Sequence, residues 1–176
     1  MIIFETHSTT VDNETGRATG WLPGELSADG RRRAEQLGER IRQRDPDAVV
    51  ASDLARARQT AEIACAELEL PIFYDWRLRE CDYGLLNGAP KAELHGAGRH
   101  RFLRNPHPNG ESWLIALDRV DRALDDLRQL WPGGTIVLIG HIATRWALLR
   151  RTEQVTLEEL AEEDFAWQPG CTFRLP

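Results

Sequence analysis

Short unbroken apolar runs alternate with segments of helical periodicity along most of this chain. Ile2-Ile3-Phe4, Ala48-Val49-Val50-Ala51, Ile72-Phe73-Tyr74 and Ile136-Val137-Leu138-Ile139-Gly140 are β-branched, aromatic or small, too short for helices, and lack polar alternation. Each therefore reads as a strand, and the first and last as buried strands of a parallel sheet. Behind Ser27, the residues Ala34, Leu37 and Ile41 recur at helical spacing and predict an N-capped helix over 28–44 that ends before Pro46. Ser52 or Asp53 is the expected cap of a second helix reaching about 69, with Ala57, Ala61, Ala64, Cys65 and Leu68 inward. Ser112 opens a third, with Leu114, Leu117, Val120, Leu124 and Leu127 on one face, ending near Trp131-Pro132-Gly133-Gly134. A helix over 143–150 and a short acidic one over 156–162 follow the last strand. Phe165-Ala166-Trp167 and Thr172-Phe173-Arg174, flanking Gln168-Pro169-Gly170, read as a hairpin at the sheet edge.

The strand–helix order predicts a three-layer α/β/α sandwich with a mainly parallel sheet, formed as a single domain over residues 1–176. Two stretches escape the pattern. Residues 8–25 are polar, and residues 75–110 are punctuated by glycine and proline; a long irregular stretch inside a domain is usually functional or mobile.

Two of the apolar runs end in histidine, His7 and His141. Ligands of such sheets bind beyond the carboxyl ends of the strands, so the two imidazoles could face each other across one pocket. Arg56 lies in the first turn after the second strand, Ala48–Ala51. An arginine near a helix N-terminus suits an anion, above all a phosphate whose oxygens match the guanidinium fork.

Composition narrows the partners. The chain carries 41% hydrophobic and 28% charged residues and a net charge of −6, an ordinary globular balance that argues against nonspecific nucleic-acid binding. No apolar stretch is long enough to span a bilayer, and the N-terminal run is too short and lacks the basic flank of a signal peptide, so a cytoplasmic protein is expected. Cys65, Cys81 and Cys171 are far apart and odd in number, and suggest neither a metal site nor a disulfide framework.

Several local sequences add up to a resemblance. Asn13 follows His7 by six residues. Thr19-Gly20-Trp21 and Leu26-Ser27 with Gly30 come next, then Ser52-Asp53-Leu54-Ala55-Arg56-Ala57-Arg58-Gln59-Thr60-Ala61. Leu78-Arg79-Glu80-Cys81-Asp82-Tyr83-Gly84 through Gly88, Asn109-Gly110-Glu111-Ser112 and Ile139-Gly140-His141 complete the series. In this order they resemble the histidine phosphatase superfamily, the phosphoglycerate mutase-like family, across nearly the whole chain.

The resemblance implies that His7 attacks phosphorus and carries the phosphoryl group. It implies that Glu80 protonates the leaving alkoxide and then activates water, and that Arg56, His141 and Asn13 hold the phosphoryl oxygens. No metal or other cofactor is implied, and the partner would be a small phosphorylated metabolite. Thr6, Ser8, Thr19, Gly20 and Arg145 are the further expected phosphate contacts, and Trp21 is a weaker candidate for the substrate.

The chain departs from the family at its first motif, where Thr6-His7-Ser8 stands for Arg-His-Gly, and at Ile142, where glycine often follows the last histidine. Losing one preorganised donor typically costs about 10²–10³-fold in rate. Without the neighbouring cation His7 is expected to be more basic, with a more alkaline optimum. Arg17, Arg58 and Arg145, or Thr9, Thr10 and amides near Ser8, are the candidates to compensate. Restoring an arginine at position 6 should raise hydrolysis unless another group already fills the place. A metal-independent phosphatase is the favoured expectation; a non-catalytic phospholigand binder and a phosphoglycerate mutase are the alternatives. Asp82 is the rival acid. His95, His100 and His107 with Arg99, Arg101 and Arg104 read as a solvated basic lid, with a substrate-selecting rim as the alternative; residues 158–164 read as a solvated acidic face, and Glu111 as a helix cap.

Overall fold

The two apolar runs that end in histidine are neighbours in space. In the computed structural model, which describes residues 1–94, 97–162 and 170–176, β1 (Ile2–Thr6) pairs parallel with β4 (Ile136–Gly140), Thr6 opposite Gly140. β2 (Ala48–Ala51) lies on the other side of β4, and β3 (Ile72–Tyr74) on the outer side of β2, both parallel. β5 (Cys171–Phe173) pairs antiparallel with β1 at the opposite edge. Among the described residues the sheet is thus five-stranded, in the order β3-β2-β4-β1-β5. It is a mixed, mostly parallel sheet between helices, as the sequence pattern predicts.

Strand residues alternate between two cores. Ile2, Phe4, Ala48, Val50, Ile136 and Leu138 pack with α6 (Trp113–Leu130) and α7 (Ile142–Glu153), where the rings of Trp113 and Trp146 lie 4.2 Å apart. Ile3, Val49, Ala51, Val137 and Ile139 pack against α2 (Ala28–Arg42) and α3 (Ala55–Ala64). Val137 and Ile139 are wholly buried, and each such side chain contributes roughly 1.5–3 kcal/mol. This two-sided burial explains why the strands carry no polar alternation. Gly38 lets α2 approach α3, because a Cβ there would stand 2.5 Å from the Ala64 carbonyl oxygen.

Several expectations need correction. Neither Ser52 nor Asp53 caps α3: Leu54 is the N-cap, the Ser52 hydroxyl accepts the Leu54 N–H at 3.3 Å, and the Asp53 carboxylate is held by Arg79 at 2.6 and 2.7 Å. α3 also stops at Ala64, well short of 69. The polar segment after β1 contains α1 (Val11–Glu14), closed by a capping box between Thr10 and Asn13. The irregular segment contains α4 (Lys91–Leu94) and α5 (Ala97–Arg101).

That segment is solvated only in part: His100, Arg101 and Arg104 are exposed as expected, whereas His107 and Arg99 are not. His107 is 2% exposed and stacks on Phe102 at 4.0 Å, and Arg99 is buried with a guanidinium bond to the Ala161 carbonyl. The described part of the acidic stretch is the solvated face expected: within α8 (Leu157–Glu162), Glu158, Glu159 and Glu162 are exposed, Glu158 pairing with Arg104 and Glu162 with His100 at the surface. His95, residues 163–164 and the Phe165–Trp167 half of the expected hairpin lie outside the described residues. Its other half is β5, paired to β1. Ser112, not Glu111, caps α6, accepting the Ile115 N–H at 3.2 Å. No helix among the described residues is long and apolar enough to cross a membrane.

Candidate active site

The strand order β2-β4-β1 sets three carboxyl ends side by side. His7 follows β1, with its N–H donated to the Gly140 carbonyl at 3.0 Å, and His141 follows β4 as the N-cap of α7. Arg56, in the first turn of the helix that follows β2, enters between them. The imidazole centroids are 5.0 Å apart. Arg56 Nε lies 3.3 Å from His7 Nε2, and Arg56 Nη2 lies 3.3 Å from His141 Nδ1.

These contacts fix the protons. His7 Nδ1 is 2.8 Å from the Ser8 carbonyl oxygen, which only accepts, so Nδ1 carries the hydrogen. The lone pair is then on Nε2, facing the guanidinium. In His141 the guanidinium meets Nδ1, so the hydrogen belongs on Nε2, a buried atom with no partner among the described residues. Burial first, then the charge of Arg56 and to a lesser degree Lys91, pull the His7 pKa down to about 3, against the opposing bond to Ser8. Burial and Arg56 likewise hold His141 well below its ordinary value. The lowered pKa leaves His7 neutral at ordinary pH, the form whose ring nitrogen can attack phosphorus.

Arg56 is 2% exposed and also donates Nη1 to the Leu22 carbonyl at 3.1 Å and Nη2 to the Gly20 carbonyl at 2.9 Å. Burial lowers its pKa to about 10, which leaves it charged at neutral pH. Gly20 can present its carbonyl because its φ is +55° and a Cβ would fall 1.8 Å from Asn87 Oδ1.

Glu80 closes the other side. Its Oε1 accepts the N–H groups of Cys81 at 2.9 Å and Ala143 at 3.1 Å, and its Oε2 that of Ile142 at 3.3 Å. The carboxylate therefore sits on the N-terminus of α7, the helix that His141 caps. Burial raises its pKa above the usual 4.5 despite these bonds and Arg56. Arg119, 2% exposed, supports the segment from below. It donates to the carbonyls of Arg77, Arg79 and Glu80 and to both carboxylate oxygens of Glu111.

A cavity of about 280 Å³ opens over this group, lined by Thr6, His7, Asn13, Thr19, Gly20, Arg56 and Glu80 among the residues expected from sequence. Asn13 Oδ1 accepts the Thr10 N–H at 3.1 Å, and Thr19 donates to Asp12 at 2.8 Å. Ser8 is not in the lining: its N–H goes to Thr60 Oγ1 at 3.0 Å and its carbonyl to His7. Arg145 and Arg58 are absent from it too, Arg58 lying over the Tyr74 ring and 3.5 Å from Glu62. Trp21 bonds the Glu80 carbonyl through Nε1 at 2.7 Å and sits behind the acid, outside the lining. Asp82 is spent on the Gly84 N–H and the Asn87 amide. Of the proposed compensating residues Arg17 and Thr9 do line the cavity. Lys91 and Tyr83, also in the lining, were not singled out from sequence; the only signal for Lys91 was a lysine directly after a Gly-Ala-Pro break. Among the described residues no cluster of three His, Cys, Asp or Glu side chains is arranged to hold a metal ion.

Residues 2–174 match the histidine phosphatase superfamily, branch 1. The chain belongs to that superfamily. Within it, the chain is 33% identical over 143 residues to the uncharacterized phosphatase PhoE of Bacillus subtilis, covering 81% of this chain and 72% of that one. It is 34% identical over 142 residues to a probable phosphoglycerate mutase, GpmB, of Salmonella typhi. That match covers 77% of this chain and 66% of the relative, about two thirds of its length. A mycobacterial glucosyl-3-phosphoglycerate phosphatase solved with VO3 superposes with a TM-score of 0.81 at 26% identity, covering 96% of this chain and 89% of that one. The relatives it matches are thus named as phosphatases and phosphoglycerate mutases.

Proposed function

We propose that this histidine phosphatase hydrolyses a small phosphomonoester through a phosphohistidine at His7. The observation that carries the reading is the proton arrangement of His7, a neutral imidazole whose Nε2 lone pair lies against Arg56 at the cavity wall. In the first step His7 Nε2 bonds to phosphorus as the ester P–O bond breaks, and Glu80 gives its proton to the departing alkoxide. In the second, Glu80 as carboxylate takes a proton from water, the water oxygen bonds to phosphorus, and the N–P bond breaks to release phosphate.

In this reading Arg56, at the cavity wall, and the Nε2–H of His141, buried just behind that wall, receive the phosphoryl oxygens, where charge builds in the transition state. The raised Glu80 pKa suits a residue that must begin as an acid. At about 280 Å³ the cavity is near the lower bound of roughly 300 Å³ for small-molecule sites, which favours a small metabolite.

The test is turnover of 4-nitrophenyl phosphate and a panel of sugar and glycerate phosphates, with rapid acid-free quenching and phosphorus NMR to detect an acid-labile N–P species. Native protein should turn over in chelator and accumulate that species; His7→Ala should do neither. No turnover by native protein, or a rate equal to that of His7→Ala, overturns hydrolysis. Similarity to GpmB supports phosphoglycerate mutation as a second reading. Transfer that requires a bisphosphoglycerate and releases little phosphate would establish it instead.

A further inference from the structure

The phosphoryl cradle is short of positive charge. Both histidines are neutral by the argument above. Arg56 has five N–H groups, four of which are already used, on His7, Leu22, Gly20 and His141. Thr6, in the cavity wall beside His7, adds none. A phosphomonoester dianion needs a second cation, and two others line the same cavity, Arg17 and Lys91.

Both are held there by one piece of backbone pairing. Ala18 N–H donates to the Ala89 carbonyl at 2.8 Å, Gly88 N–H to the Ala18 carbonyl at 2.7 Å, and Lys91 N–H to the Gly16 carbonyl at 2.8 Å, with Arg17 bridged to Pro90. Arg17 is exposed and donates Nη1 to the Gly88 carbonyl at 2.9 Å. Lys91 is half-buried, and its ammonium has no acidic partner among the described residues. Its charge is also felt at His7. An ammonium withdrawn from water without a counterion is set up to receive an anion.

We infer that Lys91 supplies the second positive charge of the phosphoryl cradle in place of the cation missing at Thr6, contacting the transferring phosphoryl group rather than a distal part of the substrate. With Glu80 protonated, Arg56 and Lys91 together match a dianion. The inference deepens the hydrolase reading and rests on it.

The probe is 4-nitrophenyl phosphate, whose only anion is the phosphoryl group, together with calorimetric binding of inorganic phosphate. Lys91→Met keeps the stem and removes the charge, so the fold should hold, with an unchanged melting temperature as the control. It should lower kcat/KM on the aryl phosphate by about 10²-fold, in the range for one charged donor, and weaken phosphate binding at least tenfold. Lys91→Arg should keep most of both. Thr6→Arg should recover most of the loss in the Lys91→Met background and add little to native protein.

If Lys91→Met acts on the aryl phosphate as native protein does and fails only on substrates with a second anion, Lys91 reads the distal group and the inference falls. If native protein turns over no phosphomonoester, the hydrolase reading falls while phosphate binding still decides for or against Lys91. Native protein that neither turns over nor binds phosphate overturns both.

Discussion

Replacing Arg119 with methionine should damage the active site without touching its lining. The guanidinium is 2% exposed and makes bonds of 2.9 and 2.6 Å to the two Glu111 oxygens, 2.8 Å to the Arg77 carbonyl, 3.1 Å to that of Arg79 and 3.2 Å to that of Glu80. Methionine fills much of the space but leaves Glu111, whose side chain is 16% exposed, as an unpaired and largely buried carboxylate. Breaking a buried pair from one side costs about 3–5 kcal/mol. For a chain of this length that lowers the melting temperature by roughly 6–20 °C. The three carbonyls also lose the donor that fixes the turn carrying Glu80, and a displacement of about 1 Å at a reacting group can cost on the order of 10²-fold in rate.

The assay is a thermal melt of native protein, Arg119→Met, Glu111→Gln and the double variant, with turnover of an alkyl phosphate. Arg119→Met should be the least stable, and the double variant should recover part of the loss because the stranded charge is gone. A single variant melting within about 2 °C of native, or a double variant worse by the sum of the two singles, would refute the ion-pair reasoning. Full activity in Arg119→Met would refute the positioning of Glu80.

Four further outcomes are expected. Gly20→Ala should destabilise the fold by about 1–3 kcal/mol through its left-handed backbone, more if Asn87 cannot yield, and should lower turnover by moving the carbonyl that holds Arg56; a native melt and rate would contradict this. Thr60→Val removes the acceptor of the Ser8 N–H while keeping the shape, and should cost about 1–3 kcal/mol by denaturant unfolding, together with a loss of rate from a mispositioned His7; no change in either would count against the role given to Ser8. The folded pKa of His7 is depressed, so its neutral form contributes stability above pH 6.5 that is lost as pH falls toward about 3. His7→Asn should therefore flatten the fall in stability across that interval, and an unchanged slope would show that His7 titrates normally. Glu80 has the opposite sign: its raised pKa means activity should decline as pH rises through it, and Glu80→Gln should remove that alkaline limb for alkyl phosphates.

The sheet is legible because its central strands β2 and β4 and most of β1 are apolar on both faces, and the long helices because Ser27 and Ser112 mark their starts and their stripes are regular. The start of α3 was misread because the two residues that look like caps have other work, Ser52 in a local turn and Asp53 in a pair with Arg79 from another part of the chain. α1 escaped because four residues with no buried side chain leave no periodicity to read. His7, Arg56, Glu80 and His141 were legible, the histidines and the arginine from their positions at strand ends and Glu80 from its surrounding motif. Lys91 was not, since it reaches the cavity through pairing of residues 88–91 with 16–18, a long-range contact that local pattern does not encode. His107 looked like a surface residue because nothing local announces that Phe102 and Tyr83 will enclose it.

One guanidinium, that of Arg56, faces His7 and His141 and also restrains the proton affinity of Glu80. A dianion arriving in the cradle would offset that restraint, so the acid would bind its proton more tightly once the ester is in place. Binding should then take up hydrogen ions from solution, and the apparent heat of binding should vary with the ionisation enthalpy of the buffer. By this route the substrate itself would load the acid with the proton that its own leaving group requires.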